Sequence, residues 1–133
     1  MIKLCPKCGE IYNRKVDDVF YCKGCRCLTI LVDELIEPII FLLNRKGYIT
    51  ISSCSGHVNN PSGHIWFDDE YKLPEFDESY PSGFVISKYK NKSLIEWKLL
   101  LPNDHMEQLI NINNMIYSLY RYCKTLPPQE YSR

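Results

Sequence analysis

What this chain lacks narrows its class first. No apolar run approaches the length of a bilayer span. The opening residues, Met1-Ile-Lys-Leu-Cys-Pro-Lys-Cys-Gly-Glu10, hold no signal-peptide core, so the expected compartment is the cytosol, with no membrane partner. Neither sign of charge is in excess: Lys+Arg and Asp+Glu each number 16, which argues against bulk, non-specific attachment to nucleic acid. Glycines stand singly, at 9, 24, 47, 56, 63 and 83, so no Gly-x-Gly run is present. Internal repeats and low-complexity segments are also missing.

What is there suits a globular chain of 133 residues, 45% apolar and 24% charged: one ordinary domain, or a small domain with a very small one attached. Seven cysteines is an odd number. Four form two pairs, Cys5-Pro-Lys-Cys8 and Cys22-Lys-Gly-Cys25, and without an export signal they read as a metal site rather than a disulfide framework. Gly9 and Gly24 are expected to supply the left-handed backbone that such knuckles need. Between the pairs, Glu10 to Tyr21 reads as strand, turn, strand, with the turn near Asn13 to Lys15. The pattern predicts a zinc ribbon over residues 1–32, with Cys5, Cys8, Cys22 and Cys25 as ligands to a structural Zn2+. Cys27 is an alternative fourth ligand, and iron takes the same four-sulfur set. So short a module needs the metal in order to fold. Lys7, Lys15, Lys23 and Arg26 give it a local basic character.

Residues 33–133 are expected to form a second, α+β domain: a small, mostly antiparallel sheet with two helices packed on it. Pro38 is tolerated only in a first turn, which predicts a turn at Asp33 to Ile36 and a helix from Glu37 to Lys46, stopped by Gly47. Its buried side is Ile39, Ile40, Leu42 and Leu43. Strands follow at Tyr48–Ser52, His64–Phe67, Phe84–Tyr89 and Leu94–Leu100, the last two joined around Lys90 to Ser93. The stretch 69–83 is the longest loop. A final helix opens at Asp104, with Met106, Leu109, Ile110, Ile116, Leu119, Tyr120 and Cys123 as its core stripe.

Chemistry concentrates at Ile49 to His57. A buried strand there runs into a loop carrying Ser53, Cys54, Ser55, Gly56 and His57. Hydroxyls, a glycine and an imidazole suit a phosphate or carboxylate. Cys54 with a histidine suits nucleophilic catalysis. Cys54, His57 and His64, with Asp68, suit a metal. The structural alternative has Cys54 buried at a strand end and the serines bonding backbone groups in a turn.

The series Asp33…Ile36…Leu42-Leu43-Asn44…Tyr48…Thr50-Ile51-Ser52-Ser53-Cys54-Ser55-Gly56 resembles the opening of the tRNA wybutosine-synthesising methyltransferase family, with His57 where that family carries arginine. Leu43-Asn44…Gly47-Tyr48…Cys54-Ser55-Gly56-His57 also resembles small zinc-ribbon proteins of Gram-positive bacteria and their phages. The resemblance implies a shared fold core and a loop that binds a ligand. The expectation is thus a cytoplasmic bacterial or phage zinc-binding protein that binds rather than catalyses. Ser53, Cys54, Ser55, Gly56, His57 and His64 would hold a nucleotide or RNA segment, with 69–83 as a lid. Two alternatives are RNA-modifying enzyme chemistry, which implies binding of S-adenosylmethionine, and an adaptor or inhibitor that binds a protein partner through an apolar patch on the ribbon or around Trp66 and Tyr71.

Overall fold

The computed structural model describes residues 2–13, 19–55, 62–76, 84–98 and 104–129. They form an α+β fold with two antiparallel sheets and two helices. The smaller sheet joins β1 (Ile2–Leu4), β2 (Ile11–Asn13) and β3 (Ile30–Val32) in the order β2-β1-β3. Strand β2 falls where the first strand of the hairpin between the cysteine pairs is expected, but its partner is β1; Tyr21 bridges Leu28 instead, and residues 14–18 lie outside the described residues.

Asp33 caps the turn that follows, its carboxylate accepting the Leu35 N–H at 3.1 Å. One 3-10 turn, Glu34–Ile36, leads into α1 (Glu37–Arg45), where Pro38 occupies the first turn and costs no hydrogen bond. Gly47, at φ +92°, ends the helix as its sequence position suggested.

The larger sheet has the order β4-β5-β7-β6, from β4 (Thr50–Cys54), β5 (Ser62–Phe67), β6 (Phe84–Tyr89) and β7 (Lys92–Lys98). Strand β4 is shifted from its expected span, so Ser53 and Cys54 lie in the strand rather than in a loop. A bulge at Ile51 resets its pairing: Thr50 faces Phe67, but Ser52 faces Trp66. Strands β6 and β7 turn on two residues only, Lys90 and Asn91, both at positive φ (+50° and +62°). Such a turn matches the twist of a hairpin, so the ladder reaches Tyr89–Lys92 instead of stopping at Ser93.

Ile65, Phe67, Ile95 and Trp97 project from one face of this sheet into a core shared with Ile36, Ile39, Ile40 and Leu43 of the α1 region. Met115, Leu119, Tyr122 and Cys123 of α2 (His105–Thr125) complete it. Leu4 and Val32 of the small sheet belong to the same core, so packing continues across residue 32. The stripe expected on α2 is out of phase in its first half. Met106, Leu109 and Ile110 are exposed, and Gln108, Ile112 and Met115 are buried. Of the stretch 69–83, the end of its described part is anchored on the core. Phe76 packs between Phe84 and Tyr122, and the Tyr122 hydroxyl donates to the Pro74 carbonyl at 2.5 Å. Residues 77–83 lie outside the described set. Among the described residues, no helix is long and apolar enough to cross a membrane.

Candidate metal centre and open sheet face

The two cysteine pairs fold into matching knuckles. Gly9 N–H donates to Cys5 O and Cys5 N–H to Glu10 O; Arg26 N–H donates to Cys22 O and Cys22 N–H to Cys27 O. Each knuckle therefore needs a left-handed residue just after its second cysteine. In the first this is Gly9 (φ +82°), as expected; in the second it is Arg26 (φ +61°), not Gly24. Gly9 has a second role. A Cβ there would lie 3.0 Å from the Phe41 ring, so its lack of a side chain lets the knuckle seat against α1. Arg45 ties the same join by donating to Lys7 O at 2.8 Å.

The knuckles bring the sulfurs of Cys5, Cys8, Cys22 and Cys25 within 4.8 Å of one another, close enough to share one metal ion. The Cys8–Cys22 separation, 3.7 Å, matches the edge of a tetrahedron with metal–sulfur bonds of about 2.3 Å. The Cys5–Cys25 edge is shorter, 3.1 Å. Cys27 packs beside this cluster and is outside the set of four, which leaves Cys25 in place as the fourth sulfur. The thiols are not equivalent. The Cys25 backbone N–H and then the Tyr12 hydroxyl bring Cys22 down to about 6. For Cys8 the Glu10 N–H works downward, but the Cys5 thiol, desolvation and the Cys22 and Cys25 sulfurs outweigh it and hold Cys8 at about 12. Sulfurs this close resist ionising together, a conflict that a bound cation removes.

The sequence-derived ligand residues separate onto the two faces of the sheet. Ser53 and Ser55 are buried. The Ser55 hydroxyl donates to the Asp33 carboxylate at 2.7 Å, and its carbonyl accepts the Trp97 indole N–H at 3.3 Å. Ser55 thus stitches β4 to the start of α1 and to β7. Gly56 and His57 lie outside the described residues. Cys54 and His64 are directly opposite each other in the ladder, half-buried on the face away from the core. His64 is in turn opposite Glu96. Its Nε2 lies 3.2 Å from the Ser52 hydroxyl. Burial lowers the His64 pKa and favours neutral imidazole, an effect that Glu96 partly offsets. Asp68 is elsewhere, accepting the Tyr71 hydroxyl at 2.6 Å, so the metal set of Cys54, His57, His64 and Asp68 is not assembled among the described residues.

This open face also carries Trp66 and Tyr89, with ring centroids 5.5 Å apart. Ser62, His64, Trp66, Val85, Glu96 and Lys98 help to line a shallow depression of about 370 Å³. Gly63, between Ser62 and His64, keeps room for the Trp97 ring, since any Cβ there would fall 2.2 Å from it. Tyr71, the other aromatic expected at a partner patch, is partly buried against the core. Sequence reasoning missed Tyr12, Ser52 and Glu96. Strand parity across the hairpin register is the signal that places Glu96 beside His64.

No protein-family model, curated protein or solved structure matches the chain.

Proposed function

We propose that the chain is a zinc-stabilised module that holds a nucleotide or a short single-stranded RNA segment on the open face of its larger sheet, the face that carries Cys54 and His64. The observation that carries the binding half is the Trp66–Tyr89 pair on that face, with His64 along the same strand and Lys98 at its edge. Aromatic rings on a sheet stack on bases of any sequence, and a neutral chain suits recognition through stacking better than through phosphate charge alone. The metal half is supported by the convergence of four sulfurs. Four thiolates close the coordination of zinc, so the ion would have a structural role and no open position for substrate.

The test is titration of a labelled single-stranded oligoribonucleotide, followed by anisotropy. Trp66→Ala and Tyr89→Ala should each weaken binding about tenfold, since a stacked base is worth roughly 1–3 kcal/mol. Unchanged affinity in both folded variants would remove the proposal.

A second reading, RNA-modifying chemistry of the kind that the methyltransferase resemblance implies, is favoured by one observation: Cys54, His64 and Glu96 stand in a single cross-strand row. That order places a thiol, a base and an orienting carboxylate side by side. A thermal-shift response to S-adenosylmethionine, together with loss of RNA modification in Cys54→Ala, would support it; no response would leave the face as a binding surface.

A further inference from the structure

We infer that Tyr12 is a positioning residue of the metal centre, acting on the ion through Cys22. The inference rests on the metal-binding proposal above. Tyr12 sits in β2, four residues beyond Cys8, and its side chain is buried against Cys5 and Cys22. Its hydroxyl lies 3.5 Å from the Cys22 sulfur. A phenol has one proton to give and can also accept. Here the accepting role is filled, because the Lys23 backbone N–H donates to the Tyr12 oxygen at 2.9 Å. The phenolic proton is thereby left for the sulfur. The Lys23 ammonium, 5.9 Å from the Tyr12 ring centroid, adds positive potential to the same ring.

Cys22 is thus addressed from two sides: by backbone N–H groups of its own knuckle, at Gly24 and Cys25, and by a side chain from the opposite knuckle's strand. The second contact does what knuckle geometry alone cannot. It draws electron density from one sulfur of the four and joins the two halves of the site by a bond that does not run through the metal. Cys8, exposed at the rim, is the contrasting sulfur. Partners of this kind set how strongly a ligand donates, and removing one typically weakens metal binding by about 10–100-fold.

The test uses the full chain loaded with Co(II), whose sulfur-to-metal charge-transfer band reports electron density at the thiolates. Wild type should bind one cobalt with a tetrahedral thiolate spectrum. Tyr12→Phe should keep that stoichiometry and the metal-centred bands while moving the charge-transfer band to longer wavelength. Its cobalt affinity, measured against a competing chelator, should fall about tenfold. Replacing Tyr12 with a ring-fluorinated tyrosine, a stronger donor of the same shape, should move the band the opposite way. This comparison decides the matter if the phenylalanine variant does not fold. A band unmoved by either replacement, with one cobalt still bound, would overturn the role of Tyr12 and leave the metal site standing. A wild-type chain that binds no cobalt would overturn both.

Discussion

Arg26 holds a conformation that glycine adopts freely and that side chains resist, at a cost of roughly 1 kcal/mol. Its counterpart in the other knuckle is Gly9. Arg26→Gly should therefore stabilise the metal-loaded protein by about that amount in denaturant unfolding; a loss of stability would show that the arginine side chain has a compensating partner. Ser55 makes the opposite case. Its hydroxyl looked like a ligand group in the sequence, yet it is buried and bonded to Asp33. Ser55→Ala should cost about 1–3 kcal/mol of stability, read by urea denaturation. Asn44 belongs with it: its amide donates to Ile40 O and Thr50 Oγ1 and accepts the Thr50 N–H, closing the corner between α1 and β4. The residues behind the family resemblance are thus largely those that stitch this corner. A motif of polar residues in a sequence does not say whether their hydrogen bonds go to a ligand or to the fold. His64 offers a titration. Its folded pKa lies below 6.5, so the unfolded chain binds the proton more readily, and stability should rise with pH from the folded value up to about 6.5. Its imidazole should titrate below 6.5 by NMR; a midpoint above 6.5 would mean that Glu96 outweighs burial.

Between elements, the key contact is a cation at a helix end. The Lys46 ammonium, just after α1, donates to Cys123 O, Lys124 O and Leu126 O at 2.7–2.9 Å, at the negative C-terminal end of α2. Beside it the Tyr48 hydroxyl donates to Pro127 O, and the Gln129 N–H to Lys46 O. Lys46→Met should cost about 2 kcal/mol and fray the end of α2, seen as faster amide exchange near residues 123–129. Unchanged exchange would mean that packing of Leu126 alone holds the segment. The turn before α1, the Gly47 stop and strand β6 were all readable, because Pro38, Gly47 and a β-branched run have one cheap conformation each. Strand β4 was less so. A bulge puts Thr50 and Ser53 inside and Ile51 outside, against the order that hydrophobicity suggests. On α2, Met106, Leu109 and Ile110 have the same helical period as the true stripe but lie on another side, and period alone does not choose the phase.

Across the whole molecule, the core makes the four-cysteine cluster and the larger sheet dependent on each other. Leu4 precedes Cys5, the first cysteine of the cluster, Val32 ends the small sheet, and both are packed with Ile36 and Leu43. Stripping the metal should therefore release residues 2–32 first and lower the unfolding temperature of the remainder, in contrast to two independent transitions. The four sulfurs were legible because a pair of Cys-x-x-Cys turns has few other uses. Tyr12 and the open face were not, since both depend on which strands are neighbours, and Cys54, His64 and Glu96 come together only through the β4-β5-β7 order. The most direct test of the account is native mass spectrometry of the chain as purified, beside Cys5→Ser/Cys22→Ser. One zinc ion per folded chain, lost in the double variant along with the fold of the small sheet, is the expected result. A folded wild-type chain of metal-free mass would contradict it.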